Sequence, residues 1–270
     1  MNYEKATKNI RQELKNYIVE NNIQSLVLGI SGGLDSAVCA ALAKPVCDEL
    51  NIPLIGRSLP TTTNSGGENS RAKEIGKHFC TDFKEVEIQK AYDVLHTMVN
   101  EDDSSTRPIQ NGNIKARTRM IYLYDLASVH SGMVLSTDNW TEYLLGFWTL
   151  KGDEGDFGMI QELWKTEVYE LSEWIVKNEL FFDVNKGNAL KSCIDCQATD
   201  GLGISNSDLD QIMPGWVGTS RDGYKVVDEK LALHLKGLGK NDNDPVINRY
   251  KRTHFKRNNP INIKIDVIKT

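Results

Sequence analysis

The stretch LVLGISGGLDSAV, Leu26 to Val38, decides how the whole chain is read. SLVLGI (Ser25–Ile30) is a continuous apolar run of the kind that forms a buried parallel strand. Ser31-Gly32-Gly33 then turns the chain, and Asp35 and Ser36 stand where a helix begins. Ligands of open parallel sheets sit beyond the carboxyl ends of the strands. A turn at that place, leading into a helix, offers free N–H groups and a positive helix end to an anion. Gly32 and Gly33 remove side chains that would hold a phosphate away, and they permit positive φ. Ser31 and Ser36 add hydroxyl donors. The turn has neither the G-x-G-x-x-G spacing nor the G-x-x-x-x-G-K-[ST] lysine of the two better-known phosphate loops. A carboxylate, Asp35, stands among the donors instead. Two anions side by side repel, so a Mg²⁺ between them is the simplest account. The plain alternative is a strand–turn–helix junction with Asp35 as a helix cap. The complete S-G-G-x-D-S after an apolar strand favours the phosphate site.

Outward from this turn, the chain alternates between strand and helix. Asn2–Asn22 carries Ile10, Leu14, Tyr17 and Ile18 at helical spacing. Ser36–Leu50 is Ala-rich and helical, with Pro45 expected to bend or divide it. Pro53–Leu59 and Asp82–Ile88 read as strands on either side of a helix at Gly67–Phe79. Ala91–Asn100 is helical, EDDSSTRPIQNG is a polar connection, and Asn113–Ser131 makes a long helix. Met133–Ser136 is a short strand that ends in the polar turn TDN. The alternation predicts an α/β fold, with parallel βαβ units and helices on both faces of the sheet. After Thr137 no further strand is expected. A helix starts near Thr166, and Lys191–Gly223 reads as irregular apart from a short helix at Ser207–Ile212. Helical segments at Val226–Lys236 and Pro245–His254 close the chain. One domain is expected over 1–270, with an α/β core at about 22–180 and an irregular lid with C-terminal helices at about 181–270.

Bulk composition narrows the class. The net charge of −5 comes from acids and bases mixed along the chain, which weighs against a sequence-independent nucleic-acid coat. Five cysteines without a secretory leader predict reduced thiols and a cytoplasmic setting. No apolar run approaches the roughly 18 residues of a membrane span, so neither nucleic acid nor membrane is an expected partner.

Three later segments bear on the substrate. NGNIKARTRM (Asn111–Met120) sets Lys115, Arg117 and Arg119 on the long helix, ordinarily a solvated basic face. STDNWTEYLLGFWTLKGDEGDFG (Ser136–Gly158) begins where a strand ends and so shares the ligand edge. Glu142 lies near that edge as a second candidate metal carboxylate, and Gly152-Asp153 and Asp156 add polar backbone and acid. IQELWKTEVYELSEW (Ile160–Trp174) puts Lys165 at a helix start, a position the helix dipole disfavours unless the lysine faces an anion.

Gly29-Ile30-Ser31-Gly32-Gly33-Leu34-Asp35-Ser36 resembles the PP-loop of the ATP pyrophosphatase superfamily, whose members cleave ATP between the α- and β-phosphates and adenylate a substrate oxygen. With the three later segments in this order and spacing, the chain is similar to the NAD synthetase family from the PP-loop to THFKRNNP. The resemblance implies an adenine-nucleotide alpha-hydrolase-like, Rossmann-like core with a helical C-terminal extension. It implies an ammonia-dependent, AMP-forming ligase that amidates deamido-NAD to NAD with release of pyrophosphate. Carried over by position, Gly29, Ile30, Ser31, Gly32, Gly33, Leu34, Asp35 and Ser36 hold the ATP phosphates, joined by Thr137, Lys165 and Thr199. Asp35 and Glu142 hold Mg²⁺, and Arg117 and Asp156 contact deamido-NAD. Lys256 matches the lysine of a C-terminal His-Lys-Arg, with Phe255 in the histidine place and His254 one position earlier. Leu150 replaces a lysine that many members direct at substrate, beside Lys151. A homodimer with the dinucleotide near the subunit interface is implied, with Trp140, Tyr143, Phe147 and Trp148 as candidates for apolar contact or core.

The chemistry implied is attack of the nicotinate carboxylate on the α-phosphorus, then ammonia on the acyl adenylate. Asp35 and Lys165 serve the first step, and Asp153 or Asp156 is a candidate to deprotonate ammonium. Two other readings remain at this stage: a tRNA-thiolation enzyme using Cys193-Ile194-Asp195-Cys196, or a non-catalytic adenine-nucleotide sensor.

Overall fold

The computed structural model describes residues 1–99, 107–238 and 243–268. Its first half runs α1 (Tyr3–Glu20), β1 (Ser25–Gly29), α2 (Leu34–Leu50), β2 (Leu54–Ser58), α3 (Gly66–Phe79), β3 (Asp82–Glu85), α4 (Gln89–Val99), α5 (Pro108–Val129) and β4 (Gly132–Ser136). Next come α6 (Trp140–Leu145), β5 (Phe157–Gly158), α7 (Lys165–Asn178), α8 (Val184–Ile194) and α9 (Asp208–Ile212). The helices α10 (Ser220–Leu235), α11 (Pro245–Arg252), α12 (His254–Arg257) and α13 (Ile265–Ile268) complete the described chain.

All strands pair in parallel, in the order β3-β2-β1-β4-β5. Val27 of β1 stands opposite Ile55 of β2 and Val134 of β4. Successive strand side chains point to opposite faces, and the core divides accordingly. Leu26, Leu28, Leu54, Met133 and Leu135 pack under α1, α2, α3, α7 and α8. Val27, Ile55 and Val134 pack on the other face against Met120, Leu123 and Ala127 of α5. A third apolar cluster gathers Leu144, Leu209, Tyr224, Leu231 and Val246 from α6, α9, α10 and α11. The chain leaves β1 towards β2 and β3, then returns on the other side as β4. The crevice beyond the carboxyl ends of β1 and β4 is therefore the topological switch point, where ligands of open α/β sheets bind.

Several sequence expectations are corrected. Pro45 does not divide α2, which runs on through it to Leu50. Proline cannot supply the N–H that the carbonyl of Ala41 would use, and Arg11 of α1 donates to that carbonyl with Nη2 at 3.3 Å. Arg11 Nε donates in turn to the carbonyl of Leu42. Strands do not stop at Thr137. Phe157 pairs with Leu135, and Asp156 N donates to Val134 O at 2.7 Å. A side chain at Gly155 would come within 2.4 Å of Ser136 N, so glycine is what lets this segment lie against β4. Helix α5 begins at Pro108 rather than Asn113, proline being preorganised for the first helical turn. The earlier part of that polar connection lies outside the described residues. The stretch read as irregular from Lys191 contains the end of α8, capped at its start by the Asp183 side chain accepting from Lys186 N. It also contains the first turn of α10, capped by Thr219.

Candidate active site

The loop after β1 is shaped by backbone needs. Gly32 has φ +80°, and a Cβ there would lie 2.2 Å from the carbonyl oxygen of Glu68. Arg71 Nε donates to Gly32 O at 2.8 Å and fixes the turn from α3. Ser36 Oγ accepts from Ser31 N, lies 3.1 Å from Ser31 Oγ and donates to Gly33 O. Gly33 caps α2 without any side-chain hydrogen bond, which leaves the N-terminal N–H groups of this helix to an anion.

The loop after β4 brings the opposite wall. Asn139 caps α6: its Oδ1 accepts from Glu142 N, and its backbone N–H donates to Glu142 Oε2. Asn139 Nδ2 also donates to Asp35 Oδ1 at 3.0 Å, joining the two loops. Between them stands Lys165, the first residue of α7. Its backbone N–H donates to Thr141 Oγ1, and its Nζ donates to Glu142 Oε1 at 3.0 Å and to Asp35 Oδ2. Lys165 is buried, which by itself favours the neutral amine. The charges of Asp35 and Glu142 outweigh that and hold its ammonium well above the usual lysine range. Burial pushes the Glu142 carboxyl up to about 7, against the pull of Lys165. This is a buried ionic centre with one cation between two carboxylates, at the end of an uncapped helix.

A cavity of about 370 Å³ opens from these loops. The lining includes Arg57 of β2 with Leu59 and Pro60 after it, and Phe147, Trp148, Thr149, Asp153, Arg249 and Lys256. Lys256 Nζ donates to the carbonyls of Gly146 and Trp148, and burial with the neighbouring Arg249 lowers its ammonium to about 8. Among the described residues, the buried side-chain polar atoms without a hydrogen-bond partner are Arg57 Nε, Trp148 Nε1 and Asp208 Oδ1. All three residues line this one cavity. Native interiors rarely leave such atoms unpaired, so the three mark places for a ligand.

The expected site residues divide into two groups. Gly29, Ile30, Ser31, Gly33, Leu34, Asp35, Ser36, Thr137, Glu142, Asp153, Lys165, Thr199 and Lys256 meet around the cavity. Gly32 supports it from the turn. Thr199 Oγ1 donates to Glu68, and Asp153 Oδ2 accepts from Thr149 N, the Asp153 carboxyl being raised by burial. Arg117, Asp156, His254 and Phe255 are exposed and outside that lining. Arg117 Nε donates to Leu150 O, and Asp156 accepts from Val134 N and Tyr124 Oη. The basic face of α5 is not simply solvated, because Lys115 is buried and donates to Leu202 O and Thr63 Oγ1. Arg119 donates to Leu59 O, Asn64 Oδ1 and Gly201 O, so two of the three bases tie the 201–202 segment to the loop after β2. Trp140 and Phe147 pack on the third apolar cluster.

Sequence reading passed over Asn139, Asp138, Asp208 and Arg249. For Asn139 a signal existed, since N-x-x-E is a capping box. The other three are single polar residues on α9, α11 or a loop, with no spacing that announces them. Asp35 and Glu142 are the residues available to a metal. Among the described residues, no group of three or more His, Cys, Asp or Glu side chains could hold one by itself. Two carboxylates completed by substrate phosphates suit Mg²⁺, which keeps few protein ligands. Cys193, whose Sγ approaches Gly32 O at 3.6 Å, and Cys196 lie under the phosphate loop as free thiols.

The family model described as NAD synthase matches residues 6–260. An NH(3)-dependent NAD(+) synthetase from Fusobacterium nucleatum is 29% identical over 264 residues, covering 96% of each chain. Among solved structures, the NH3-dependent NAD synthetase from Campylobacter jejuni aligns with a TM-score of 0.68 at 26% identity, over 98% of this chain and 100% of that one. The NMN synthetase from Francisella tularensis aligns with a TM-score of 0.78 at 24% identity, over the same shares, and shares the fold.

Proposed function

The chain belongs to the NAD synthase family, and from that premise we propose that it amidates deamido-NAD to NAD, using ATP and ammonia and releasing AMP and pyrophosphate. The observation that carries the residue assignment is Lys165 held between Asp35 and Glu142 at the mouth of the phosphate loop. The free N–H groups of α2, with Ser31 and Ser36, bind the phosphates that leave as pyrophosphate. Lys165 moves its ammonium from the carboxylates to the phosphate oxygens as charge develops there. Asp35 and Glu142 are then free to hold Mg²⁺, which when bound supplies further positive charge to those oxygens. The cationic wall of Arg249 and Lys256 receives the acidic end of the acceptor, and Trp148 and Phe147 flank its ring. Alignment and charge account for the protein's part, since the carboxylate itself is the nucleophile towards phosphorus.

The working form is proposed as a homodimer in the cytoplasm. Val94 and Met98 on α4 and Ile121, Tyr124 and Val129 on α5 are exposed apolar side chains, suited to a subunit contact. All five cysteines are free thiols, and among the described residues no helix is long and apolar enough to cross a membrane.

The test is incubation with ATP, Mg²⁺, deamido-NAD and ammonium, with chromatography of the products. NAD and AMP in equal amounts are expected. A parallel arm with nicotinic-acid mononucleotide, which presents the same carboxylate, fixes acceptor length. ATP cleavage indifferent to acceptor and ammonium would sink the reading.

A further inference from the structure

ATP and deamido-NAD bring negative charge to the cavity, and its lysines and arginines answer that charge. The third reactant is different: ammonium is a cation with only N–H donors, and it needs an acceptor that also removes a proton. Most carboxyls at the site are already engaged. Asp35 and Glu142 hold Lys165, and Asp156 uses both oxygens on Val134 N and Tyr124 Oη. Asp153 accepts from Thr149 N at 2.6 Å. Asp138, whose carboxyl is raised well above the usual range by burial and by the acids around it, accepts from Ser136 Oγ with its Oδ2.

Asp208 is the exception. It lines the cavity and is only 4% exposed. Its Oδ2 accepts the Tyr224 hydroxyl at 3.0 Å, while Oδ1 is buried without a hydrogen-bond partner. The other two orphaned atoms of the cavity, on Arg57 and Trp148, are donors suited to oxygens or ring nitrogens of the nucleotides. Among the described residues, Asp208 alone presents a buried side-chain acceptor without a partner. The charged groups that face it are Lys165 of α7, Asp35 of α2, Glu142 of α6, Arg249 of α11 and Asp200, with Tyr224 of α10 against it. It shares one cavity lining with Asp35 and Lys165 on the phosphate side and with Arg249 and Lys256 on the other. Burial raises its carboxyl to about 7, with Lys165 and the Tyr224 hydroxyl holding it down.

Resting on the amidation reading, we propose that Asp208 binds the nitrogen nucleophile as ammonium and takes its first proton. Ammonium gives that proton to Oδ1 and becomes ammonia. The nitrogen lone pair forms the C–N bond, the bond from carbonyl carbon to the AMP oxygen breaks, and AMP leaves with that electron pair. The second proton passes from nitrogen to solvent, leaving the neutral amide.

The experiment uses the full chain with Asp208→Asn and Tyr224→Phe. Hydroxylamine, uncharged at neutral pH, serves as a nucleophile that needs no prior deprotonation. In Asp208→Asn, kcat/KM for ammonium is expected to fall roughly 100-fold, while hydroxamate formation changes by no more than a few-fold. Deamido-NAD-dependent exchange of pyrophosphate into ATP persists and shows that the variant is folded and adenylates. In Tyr224→Phe the acidic limb of the ammonium profile moves to higher pH, because a hydrogen bond that holds the carboxyl down is gone. The proposal is overturned by equal losses with both nucleophiles, by a KM effect on ATP or deamido-NAD alone, or by an unmoved acidic limb. A wild-type chain without acceptor-dependent exchange would instead bring down the amidation reading itself.

Discussion

Lys165 occupies the least favourable place in a helix for a cation, and two part-buried carboxylates compensate it. Removing one partner of such a centre leaves uncompensated charge. Lys165→Met is therefore expected to lose roughly 100- to 1,000-fold in turnover and about 3–5 kcal/mol in stability. Mg²⁺ without ATP should recover part of that stability in the variant, raising its melting temperature more than the wild type's. An equal Mg²⁺ response in both proteins would remove the metal role from Asp35 and Glu142. Asp208 gives a pH-dependent counterpart. Its folded carboxyl titrates near 7 while an unfolded aspartate titrates at its ordinary lower value, so the folded state holds the extra proton. Stability from this group is fully present below the unfolded value, falls as pH rises between the two values, and stays lost above the higher one. Asp208→Asn should consequently gain on the order of a few kcal/mol over wild type at pH 8 and little at pH 4, read by urea unfolding. Asp35 and Lys165 were legible because a motif and a dipole argument single them out. Asp208 was not, because its chemistry depends on Tyr224, sixteen residues later, folding over it.

Among the elements, α2 shows how a local rule can yield to a tertiary partner. Pro45 predicts a bent or divided helix, yet α2 runs on undivided, with Arg11 donating to the carbonyl that proline orphans. Arg11→Ala should cost about 1–3 kcal/mol in urea unfolding, and Glu179→Gln, which removes only its part-exposed ion pair, about 1 kcal/mol or less. β1 to β4 were legible as strands, whereas β5, α6, α12 and α13 were not, and neither was α8. That helix is short and opens on the β-branched Val184, and packing of Ala189, Leu190 and Cys193 fixes it more than propensity does. Helix α5 illustrates the opposite error, since a basic face looks solvated until its partners are known. Lys115→Met removes the hold on Leu202 O. The expected result is faster amide exchange across 199–206 and a raised KM for ATP, with unchanged exchange in β1 and β2.

For the whole molecule, the parallel sheet sets the site before any side chain is considered. Its order reverses at β1 and β4, which puts the phosphate loop and the Asn139–Glu142 cap on facing edges of one crevice. That much was contained in strand–helix alternation and the S-G-G-x-D-S turn. Of the C-terminal wall only Lys256 was legible, through the resemblance, whereas Arg249 was not, because it reaches the cavity only through the packing of α11 on α6 and α10. The proposed subunit contact through α4 and α5 predicts twice the chain mass by light scattering, and Ile121→Asp should halve it. The central claim is that the acceptor carboxylate attacks the α-phosphorus of ATP. Deamido-NAD labelled with oxygen-18 in both carboxylate oxygens tests it most directly, with the products of one turnover weighed by mass spectrometry. One labelled oxygen in AMP and one retained in the amide of NAD is the expected result. Label in inorganic phosphate accompanied by ADP, or AMP without label, would contradict it.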